Sequence, residues 1–377
     1  MRVVVIGGGM IGLAVAEELV RRRVKVLLLE RNEAVAREAS SAAAGILSPQ
    51  SEARGPGPFL DLLRAAAARI PNEAARLQAD SGLDFDYRPC GMLNLAFSES
   101  EEHALEQARD WQLKAGIAVE SWMARRIREE EPAVDGPARS GLFWPENSQL
   151  DPVPMAQAYE RLILRGGGEI RTGTPVLSVR LRGDQVAGVQ TPGGGIEVDA
   201  VINCAGSWAG FDEGLPCSVP CAPVRGQILQ FRVRQALVRR VVHSEAAYLV
   251  QRRDGRLVAG TTVERVGYDR RVTEEGRRSI RQGAARICSS LAGLPVEAEW
   301  AGLRPDTPDH LPILGETPVR GLWVAAGHYR NGILLAPLTG RLMADCVMGR
   351  APEISLGPFR LDRFLAMANS HTKEEAP

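Results

Sequence analysis

Three glycines near the N-terminus have the spacing of a phosphate-binding turn. Gly7, Gly9 and Gly12 form the pattern G-x-G-x-x-G, and Glu30 follows 18 residues after the last of them. In this pattern the first glycine permits a tight turn, the second lets the backbone approach a pyrophosphate, and the third lets the next helix pack closely. The helix N-terminus then binds the phosphates through its free N–H groups, and Glu30 is expected to bind a ribose diol. These residues predict a dinucleotide-binding site.

The segments around these glycines have the composition of a βαβ unit. Residues 2–6 (RVVVI) are a β-branched run typical of a buried parallel strand, and residues 24–30 (VKVLLLE) are a second one. Between them, residues 13–23 (LAVAEELVRRR) have apolar side chains at helical spacing. Because strand, glycine turn, helix and strand follow one another directly, a parallel α/β sheet is predicted around the site.

A run of small residues, SSAAAGILSP at positions 40–49, favours a flavin over a nicotinamide cofactor. Small side chains and hydroxyls just beyond the strand that ends at Glu30 allow the backbone to lie flat against a large planar ring. The alternative interpretation is a tightly packed loop. The residues of this run that we assign to the cofactor are Ser40, Ser41, Ala42, Ala43, Ala44, Gly45, Ile46 and Leu47.

A second glycine turn lies in the segment HYRNGILLAP, residues 328–337, where four polar residues precede an apolar helix. A helix N-terminus aimed at a flavin's pyrimidine edge stabilises the negative charge of the reduced ring, by ~0.3–1 kcal/mol and by about 2 kcal/mol when partly buried. Gly332 lets the chain turn close to the ring, and the apolar residues behind it exclude water. We therefore predict that this segment binds the flavin; the alternative is a plain strand-to-helix connection with a surface arginine.

The composition argues against several other classes of function. Lys plus Arg number 46 and Asp plus Glu number 46, so the charge favours neither nucleic acid nor an anionic membrane as a partner. The six cysteines include no C-x-x-C pair and no Cys/His cluster, so no metal site is predicted and reduced thiols in a cytoplasmic protein are expected. The apolar N-terminus is interrupted by glycines and is assigned to the fold rather than to a signal peptide, and no membrane span is predicted.

Signals of α/β structure occur at three separated places, and antiparallel strand patterns lie between them. The clearest antiparallel signal is a hairpin that turns on Asp254-Gly255. The predicted fold class is therefore α/β, with one discontinuous nucleotide-binding domain interrupted by a sheet-bearing domain. The predicted boundaries are 1–83, 144–216 and 302–367 for the nucleotide-binding domain, 84–143 and 217–301 for the other domain, and 368–377 for a flexible tail.

Seven segments together resemble the glycine oxidase and D-amino-acid oxidase family of FAD flavoproteins over nearly the whole chain, and the glycine oxidases most. They are VVVIGGGMIGLAVAEEL, SSAAAGILSP, VINCAGSWAG, VRGQIL, YLVQRRDGRLVAGTTVE, WAGLRPDTPDHLPILG and AAGHYRNGILLAP. The first is shared by many flavoproteins, whereas the last two at this separation are much more specific. The resemblance implies a Rossmann-like FAD-binding domain of the glutathione-reductase type, interrupted by an α+β substrate domain with a large antiparallel sheet. It also implies non-covalent FAD, a homotetramer and a role in making the thiazole of thiamine.

The resemblance further implies roles for single residues. Arg304 in GLRP resembles the family's carboxylate-binding arginine, Tyr248 in AAYLV its substrate-side tyrosine, and Arg330 in HYRNG a second cationic neighbour; these are the predicted catalytic residues. A structural ion pair for Arg304 and a plain strand position for Tyr248 are the alternatives. With Ile46 and Val263 these three residues form the predicted substrate-binding set. The other residues assigned to the cofactor are Met10, Ile11, Arg31, Val176, Ala205, Gly206, Trp208, His328, Tyr329, Asn331, Ile333 and Leu334, and Arg304 and Arg330 are assigned to it as well.

The chain departs from the family at three positions of the substrate cavity. Ala246 stands where some glycine oxidases carry a histidine near the substrate. Val263 and Ile46 stand where some relatives have methionines. These departures leave the shape of the cavity, and so the substrate preference beyond glycine, open.

The implied reaction is oxidative deamination of glycine and similar small primary or secondary amino acids. A hydride leaves the α-carbon for the flavin N5, water hydrolyses the imine to glyoxylate and ammonia or an amine, and O2 is reduced to H2O2. Because the cofactor carries the difficult chemistry, the protein mainly positions the reactants. His243 and His310 accordingly have no predicted role beyond a turn or surface position. Cys346 lies well inside the last helix, which argues against a covalent link to the flavin.

Two other functions stay open at this stage. The segment RPDTPDHLPILG also resembles FAD-dependent D-amino-acid dehydrogenases, which pass electrons to a quinone or carrier. The second is a flavin-binding accessory domain for assembly or RNA modification, against which the lack of a basic excess counts.

Overall fold

The computed structural model describes residues 1–53, 55–210 and 214–364, so the predicted tail at 368–377 lies outside the described residues. The strands of this part, in chain order, are β1 (Arg2–Ile6), β2 (Lys25–Leu29), β3 (Ile46–Leu47), β4 (Met92–Ala96), β5 (Glu120–Met123), β6 (Ser140–Trp144), β7 (Ser148–Gln149), β8 (Glu169–Arg171), β9 (Ser178–Arg182), β10 (Gln185–Thr191), β11 (Gly194–Glu197), β12 (Ala200–Asn203), β13 (Ala222–Arg232), β14 (Val241–His243), β15 (Tyr248–Gln251), β16 (Arg256–Gly260), β17 (Val296–Asp306), β18 (Ile313–Glu316) and β19 (Leu322–Ala326). The α-helices are α1 (Met10–Arg21), α2 (Ala39–Ala42), α3 (Pro58–Ser81), α4 (Glu99–Lys114), α5 (Ala124–Glu130), α6 (Pro152–Arg165), α7 (Glu274–Ile287) and α8 (Gly332–Val347).

A six-stranded sheet has the order β18-β19-β12-β1-β2-β8, and the N-terminal glycines follow directly after its strand β1. All neighbours in it are parallel except β18 and β19. β1, α1 and β2 form the βαβ unit predicted from the sequence. The largest hydrophobic cluster lies between this sheet and its helices, with Leu13 and Leu19 of α1 packed near Leu335 and Leu342 of α8. The α/β class is thereby confirmed.

An eight-stranded sheet has the order β17-β13-β16-β15-β14-β4-β6-β5 and is antiparallel except for the pair β14 and β4. The hairpin predicted at Asp254-Gly255 joins β15 to β16. One face buries Leu229 and Phe231 against Ile280 of α7. Because side chains alternate along a strand, the other face carries a different apolar set, which includes Ile228 and Tyr248. This second face forms one wall of the candidate site.

One of the predicted domain boundaries lies inside a strand of the eight-stranded sheet. β17 pairs with β13 from Val296 to Asp306, so this sheet continues past the predicted boundary at residue 301. The reason is that the eleven residues of β17 pair with β13 along nearly its whole length. The division of the chain into two domains, with its boundaries, stays a prediction.

Two smaller sheets complete the structure: β11-β10-β9 and the pair β3-β7. None of the described helices has both the length and the apolar composition required to cross a bilayer.

Candidate active site

A cavity of about 640 Å³ runs from the first turn of α1 to the inner side of α4. Its lining includes Gly9 and Glu30, Arg304 of the eight-stranded sheet, and Trp111 of α4. Most of the predicted site residues line it: Gly7, Gly9, Met10, Ile11, Glu30, Arg31, Ser40, Ala42, Ala43, Ala44, Gly45, Ile46, Val176, Ala205, Gly206, Trp208, Tyr248, Arg304, His328, Tyr329, Arg330, Asn331, Gly332 and Ile333.

The glycine turn leaves the N-terminus of α1 open toward the cavity. Gly7 has φ +100°, and a Cβ on Gly12 would lie 2.0 Å from the carbonyl oxygen of Gly7, so both positions require glycine. The amide of Met10 donates to Ser40 Oγ at 2.8 Å. The amides of Ile11 and Gly12 have no acceptor among the described residues. This arrangement suits a pyrophosphate, because free amides and the helix dipole both favour an anion.

The next part of the cavity suits a nucleoside. Glu30 is held by hydrogen bonds to Oε2 from the amide of Gly8 at 2.7 Å and to Oε1 from the amide and side chain of Asn32, both at 2.8 Å. A carboxylate has about four acceptor sites, so capacity remains for a ribose hydroxyl. The guanidinium of Arg31 stacks 3.6 Å from the centre of the Trp208 ring and forms a flat surface beside it.

The segment 327–332 turns sharply and leaves the N-terminus of α8 open as well. Gly327 has φ +73° and Tyr329 φ +47°, and Asn331 caps the helix without a side-chain hydrogen bond. The first backbone bond of the helix runs from Leu335 N to Asn331 O at 2.9 Å. Within the described residues, the amides of Gly332, Ile333 and Leu334 have no acceptor. These amides fit the predicted contact with the pyrimidine edge of a flavin.

Arg304 lies on β17 with its guanidinium in the cavity wall. Nη1 donates to the carbonyls of Arg225 at 3.3 Å and Thr262 at 3.2 Å, and Nη2 donates to Thr261 Oγ1 at 2.7 Å. No carboxylate in the described part of the chain forms an ion pair with it. Burial lowers the pKa of Arg304 below its usual value, although a guanidinium stays charged. A half-buried cation without a counter-ion among the described residues favours an anionic ligand.

Tyr248 and Arg330 border the same part of the cavity. Tyr248 lies across Gly260, its register partner on β16, where a Cβ would come within 2.5 Å of the phenol oxygen. Burial raises the pKa of Tyr248 while Arg304 and Arg330 oppose the shift, so the phenol remains a hydrogen-bond donor. Arg330 differs from Arg304 because its Nη1 lies 3.2 Å from Glu52 Oε1.

Four predicted side chains lie outside the cavity. Val263, predicted to border the substrate, is 57% exposed and does not line the cavity. The chain leaves the sheet after Gly260, and it is Thr261 that faces inward and binds Arg304. Leu47 and Leu334 pack in the hydrophobic core, and Ser41 bonds the carbonyl of Glu38.

His243 lines the cavity, whereas only a turn or surface position was predicted for it. It lies in β14 opposite Tyr248, and its Nδ1 is 2.9 Å from Asn94 Oδ1. Burial, together with the nearby charge of Arg330, lowers the pKa of His243 to about 4. The four-residue turn between His243 and Tyr248 is the sequence signal that was available, since it pairs the two residues on one face. Ala246, within that turn, is exposed and lies outside the cavity.

The chain is similar to several known proteins over nearly its whole length. It is 34% identical over 375 residues to the bifunctional protein ThiO/ThiG of Synechocystis sp. The aligned region covers 97% of this chain and 54% of that protein. The chain thus spans about half the length of that relative. It is 35% identical over 371 residues to a glycine oxidase of Geobacillus kaustophilus. The aligned region covers 96% of this chain and 97% of that enzyme.

A structural comparison and a match to a family model agree with these sequence similarities. The crystal structure of glycine oxidase from Geobacillus kaustophilus superposes with a TM-score of 0.91 at 33% identity and covers 96% of this chain and 99% of that chain. A family model described as "DAO: FAD dependent oxidoreductase" matches residues 2–346. The open helix termini and the flat nucleoside surface fit the cofactor in that description. The chain therefore belongs to the DAO family of FAD-dependent oxidoreductases, with FAD as its cofactor.

Proposed function

We propose that the protein oxidises glycine and similar small primary or secondary amino acids, releasing glyoxylate from glycine together with ammonia or an amine. Dioxygen is the proposed final electron acceptor and is reduced to H2O2. The observation that carries this proposal is the guanidinium of Arg304, which faces the cavity with no carboxylate partner among the described residues. The similarity to a glycine oxidase of Geobacillus kaustophilus supports it.

Arg304 is prepared to bind one carboxylate in a fixed orientation. A guanidinium has five N–H donors, and three of them are used in the bonds to Arg225 O, Thr262 O and Thr261 Oγ1, which leaves two. Two parallel N–H groups bind a carboxylate bidentately and so set its direction as well as its position. Tyr248 adds a hydroxyl donor next to this site.

With the carboxylate held in this way, the α-carbon of a small amino acid is oriented for reaction. Bound FAD supplies the two-electron acceptor for the α-hydrogen. The apolar residues Ile46 and Ile228 exclude water from the same space, which strengthens the electrostatic interactions of the two arginines. The first-turn amides of α8 would offer positive charge to the pyrimidine edge of a bound flavin, which is where the negative charge of the reduced ring lies.

Several finer features are part of the same proposal. The similarity to ThiO/ThiG of Synechocystis sp. supports a role in the thiazole branch of thiamine biosynthesis. The resemblance to the glycine oxidases supports a homotetramer in the cytoplasm, with separate FAD-binding and substrate-binding domains. The assignment of individual residues to cofactor and substrate belongs to the proposal as well.

An anaerobic titration of the purified flavoprotein tests the function. Glycine, sarcosine and the two enantiomers of alanine are added in turn, and reduction is followed by the loss of flavin absorbance. We expect glycine and sarcosine to bleach the flavin. Absorbance that stays constant with all four amino acids would contradict the proposal.

The electron acceptor is tested separately in air. One H2O2 per glycine consumed is expected of an oxidase. If glycine bleaches the flavin but no peroxide forms until a quinone is supplied, the protein is a dehydrogenase instead.

A further inference from the structure

Three polar residues form a continuous row across the sheet that faces the cavity. The register pairs Asn94 of β4 with His243 of β14, and His243 with Tyr248 of β15. Directly paired residues on neighbouring strands point to the same face of a sheet. All three residues line the cavity. The position next to the proposed carboxylate site is therefore occupied by His243.

The contact with Asn94 determines which nitrogen of His243 faces the cavity with a lone pair. Nδ1 of His243 lies 2.9 Å from Oδ1 of Asn94, and an amide oxygen only accepts hydrogen bonds. Nδ1 therefore carries the proton, and in a neutral imidazole Nε2 is then the acceptor. Nε2 makes no hydrogen bond within the described residues and is not among the atoms enclosed by protein.

The charges around His243 favour a neutral imidazole. Arg330 and Arg304 make this part of the cavity positive, and the acid beside them in the described part of the chain, Glu52, pairs with Arg330 at 3.2 Å. Burial and the charge of Arg330 lower the pKa of His243 to about 4, so the ring is uncharged near neutral pH. Thr261 Oγ1 accepts from Arg304 and is already engaged. Nε2 of His243 is thus an available neutral acceptor beside the carboxylate site.

We propose that His243 is a third substrate-binding residue, whose Nε2 accepts a hydrogen bond from the N–H of the substrate's amine while Arg304 and Tyr248 hold the carboxylate. This inference rests on the proposed function and adds a recognition element for the group on the α-carbon. The site then prefers a ligand with a hydrogen-bond donor next to its carboxylate over one that has a carboxylate alone. Asn94 acts through His243 as a positioning residue, because it fixes the tautomer.

Two small carboxylates separate this interaction from carboxylate binding. Acetate carries only the carboxylate, whereas glycolate adds one O–H donor on the α-carbon. The dissociation constants of both are measured with the FAD-loaded protein from the change in the flavin spectrum. We expect glycolate to bind about 3- to 10-fold more tightly than acetate, as one added hydrogen bond predicts. Equal affinities in the unmodified protein would overturn the proposal.

Matched variants locate the effect. In His243→Leu we expect the ratio of the two affinities to fall to about 1 while acetate binding changes less than about 2-fold. In His243→Gln an amide oxygen replaces Nε2, and part of the preference for glycolate should return. Tyr248→Phe should weaken both ligands equally and leave their ratio unchanged. A ratio in His243→Leu equal to that of the unmodified protein, or an equal loss of both ligands, would overturn the proposal.

A second variant applies if His243→Leu does not fold. Asn94→Leu keeps the imidazole but removes the acceptor for Nδ1–H, so the glycolate preference should fall while acetate still binds; an unchanged ratio would overturn the proposal. The two proposals fail in different ways. If glycine does not bleach the flavin, the proposed function is wrong. If glycine is oxidised but the ratio of the glycolate and acetate affinities does not change in the His243 variants, only the proposed role of this residue is wrong.

Discussion

Gly226 lies directly beneath the guanidinium of Arg304. A Cβ on Gly226 would come within 2.1 Å of Nη2 and 2.4 Å of both Cζ and Nη1. Gly226 of β13 pairs in register with Gly302 of β17, two residues before Arg304. The absence of side chains at this pair lets the long arginine lie along the sheet rather than stand away from it. The direction of the cation in the cavity thus depends on a neighbouring strand.

Replacement of Gly226 by alanine should displace Arg304 without removing it. The new methyl group occupies the space of the guanidinium, whose far end can move, so the fold and FAD content should persist. We expect the affinity for acetate to fall at least about 10-fold, because the bidentate geometry is lost. The control is Gly293→Ala, where a Cβ meets nothing within 4 Å. Equal acetate affinity in the two variants would refute the dependence on Gly226.

Arg304→Ala should raise KM for glycine by about 100-fold or more while FAD stays bound. Hydrogen bonds to charged groups contribute about 1.5–3 kcal/mol each, and two are lost. The KM of Arg304→Lys should lie between those of the unmodified protein and Arg304→Ala, since lysine keeps the charge but not the paired donors. Steady-state kinetics and the flavin absorbance of the purified proteins measure the effect. Arg253 is exposed, so Arg253→Ala is the control and should leave KM for glycine unchanged. An unchanged KM in Arg304→Ala would show that Arg304 does not bind the carboxylate.

Two glycines of the N-terminal turn should fail in different ways. A Cβ on Gly9 would have Ser40 Oγ at 3.4 Å as its nearest neighbour, so Gly9→Val is compatible with the fold but fills the space proposed for the pyrophosphate. A Cβ on Gly12 would lie 2.0 Å from a backbone oxygen, so Gly12→Val should disrupt the packing itself. We expect Gly9→Val to be folded by circular dichroism but to lack the visible absorbance of FAD. Gly12→Val should give little folded protein. A yellow Gly9→Val would contradict this placement of the cofactor.

The stability of the protein should fall in mild acid because of His328. This residue is 2% exposed and bonded to Thr339 Oγ1 at 3.1 Å, and burial lowers its pKa to about 3. Since the unfolded histidine takes up a proton near pH 6.5 and the folded one does not, the stabilising contribution is complete above about pH 6.5 and is lost as the pH falls toward 3. By pH 5 the loss is about 2 kcal/mol.

Urea unfolding of the protein and of His328→Asn at pH 7.5 and pH 5 measures this contribution. The free energy of unfolding should drop by about 2 kcal/mol less in the variant than in the unmodified protein. His103, exposed on α4, gives the control His103→Asn, which should retain the full pH dependence. An identical pH dependence in His328→Asn and the unmodified protein would show that the buried imidazole does not contribute.

The elements at the proposed FAD end of the site could be predicted from local patterns. The turn of Gly7 to Gly12 is flanked in sequence by β1 and α1, and the elements that form it are contiguous. The same holds for α8, whose polar entry and apolar body follow one another in the chain. In both cases the strand, turn and helix that form the open helix N-terminus are contiguous in the chain, which is why these elements could be predicted from local patterns.

The substrate end depends on strand register between distant segments, which local patterns do not contain. His243 faces the cavity because β14 pairs with β4, whose Asn94 is 149 residues away in sequence. Thr261 lines the cavity whereas Val263 is exposed, because the chain leaves the sheet after Gly260, and a local pattern does not contain that departure. The helix α3 carries Pro71 in its interior, a residue that argues against a long helix, so local patterns do not predict this element.

The continuity of the cavity from α1 to α4 makes cofactor and substrate share one enclosed space. A ring bound at the first turn of α8 would itself provide part of the surface on which a small acid rests. Occupancy of either position should then strengthen the other by the same factor, since coupling between two bound molecules is reciprocal. Acetate should therefore slow the loss of FAD on dilution, and protein stripped of FAD should retain acetate poorly even though Arg304 is intact.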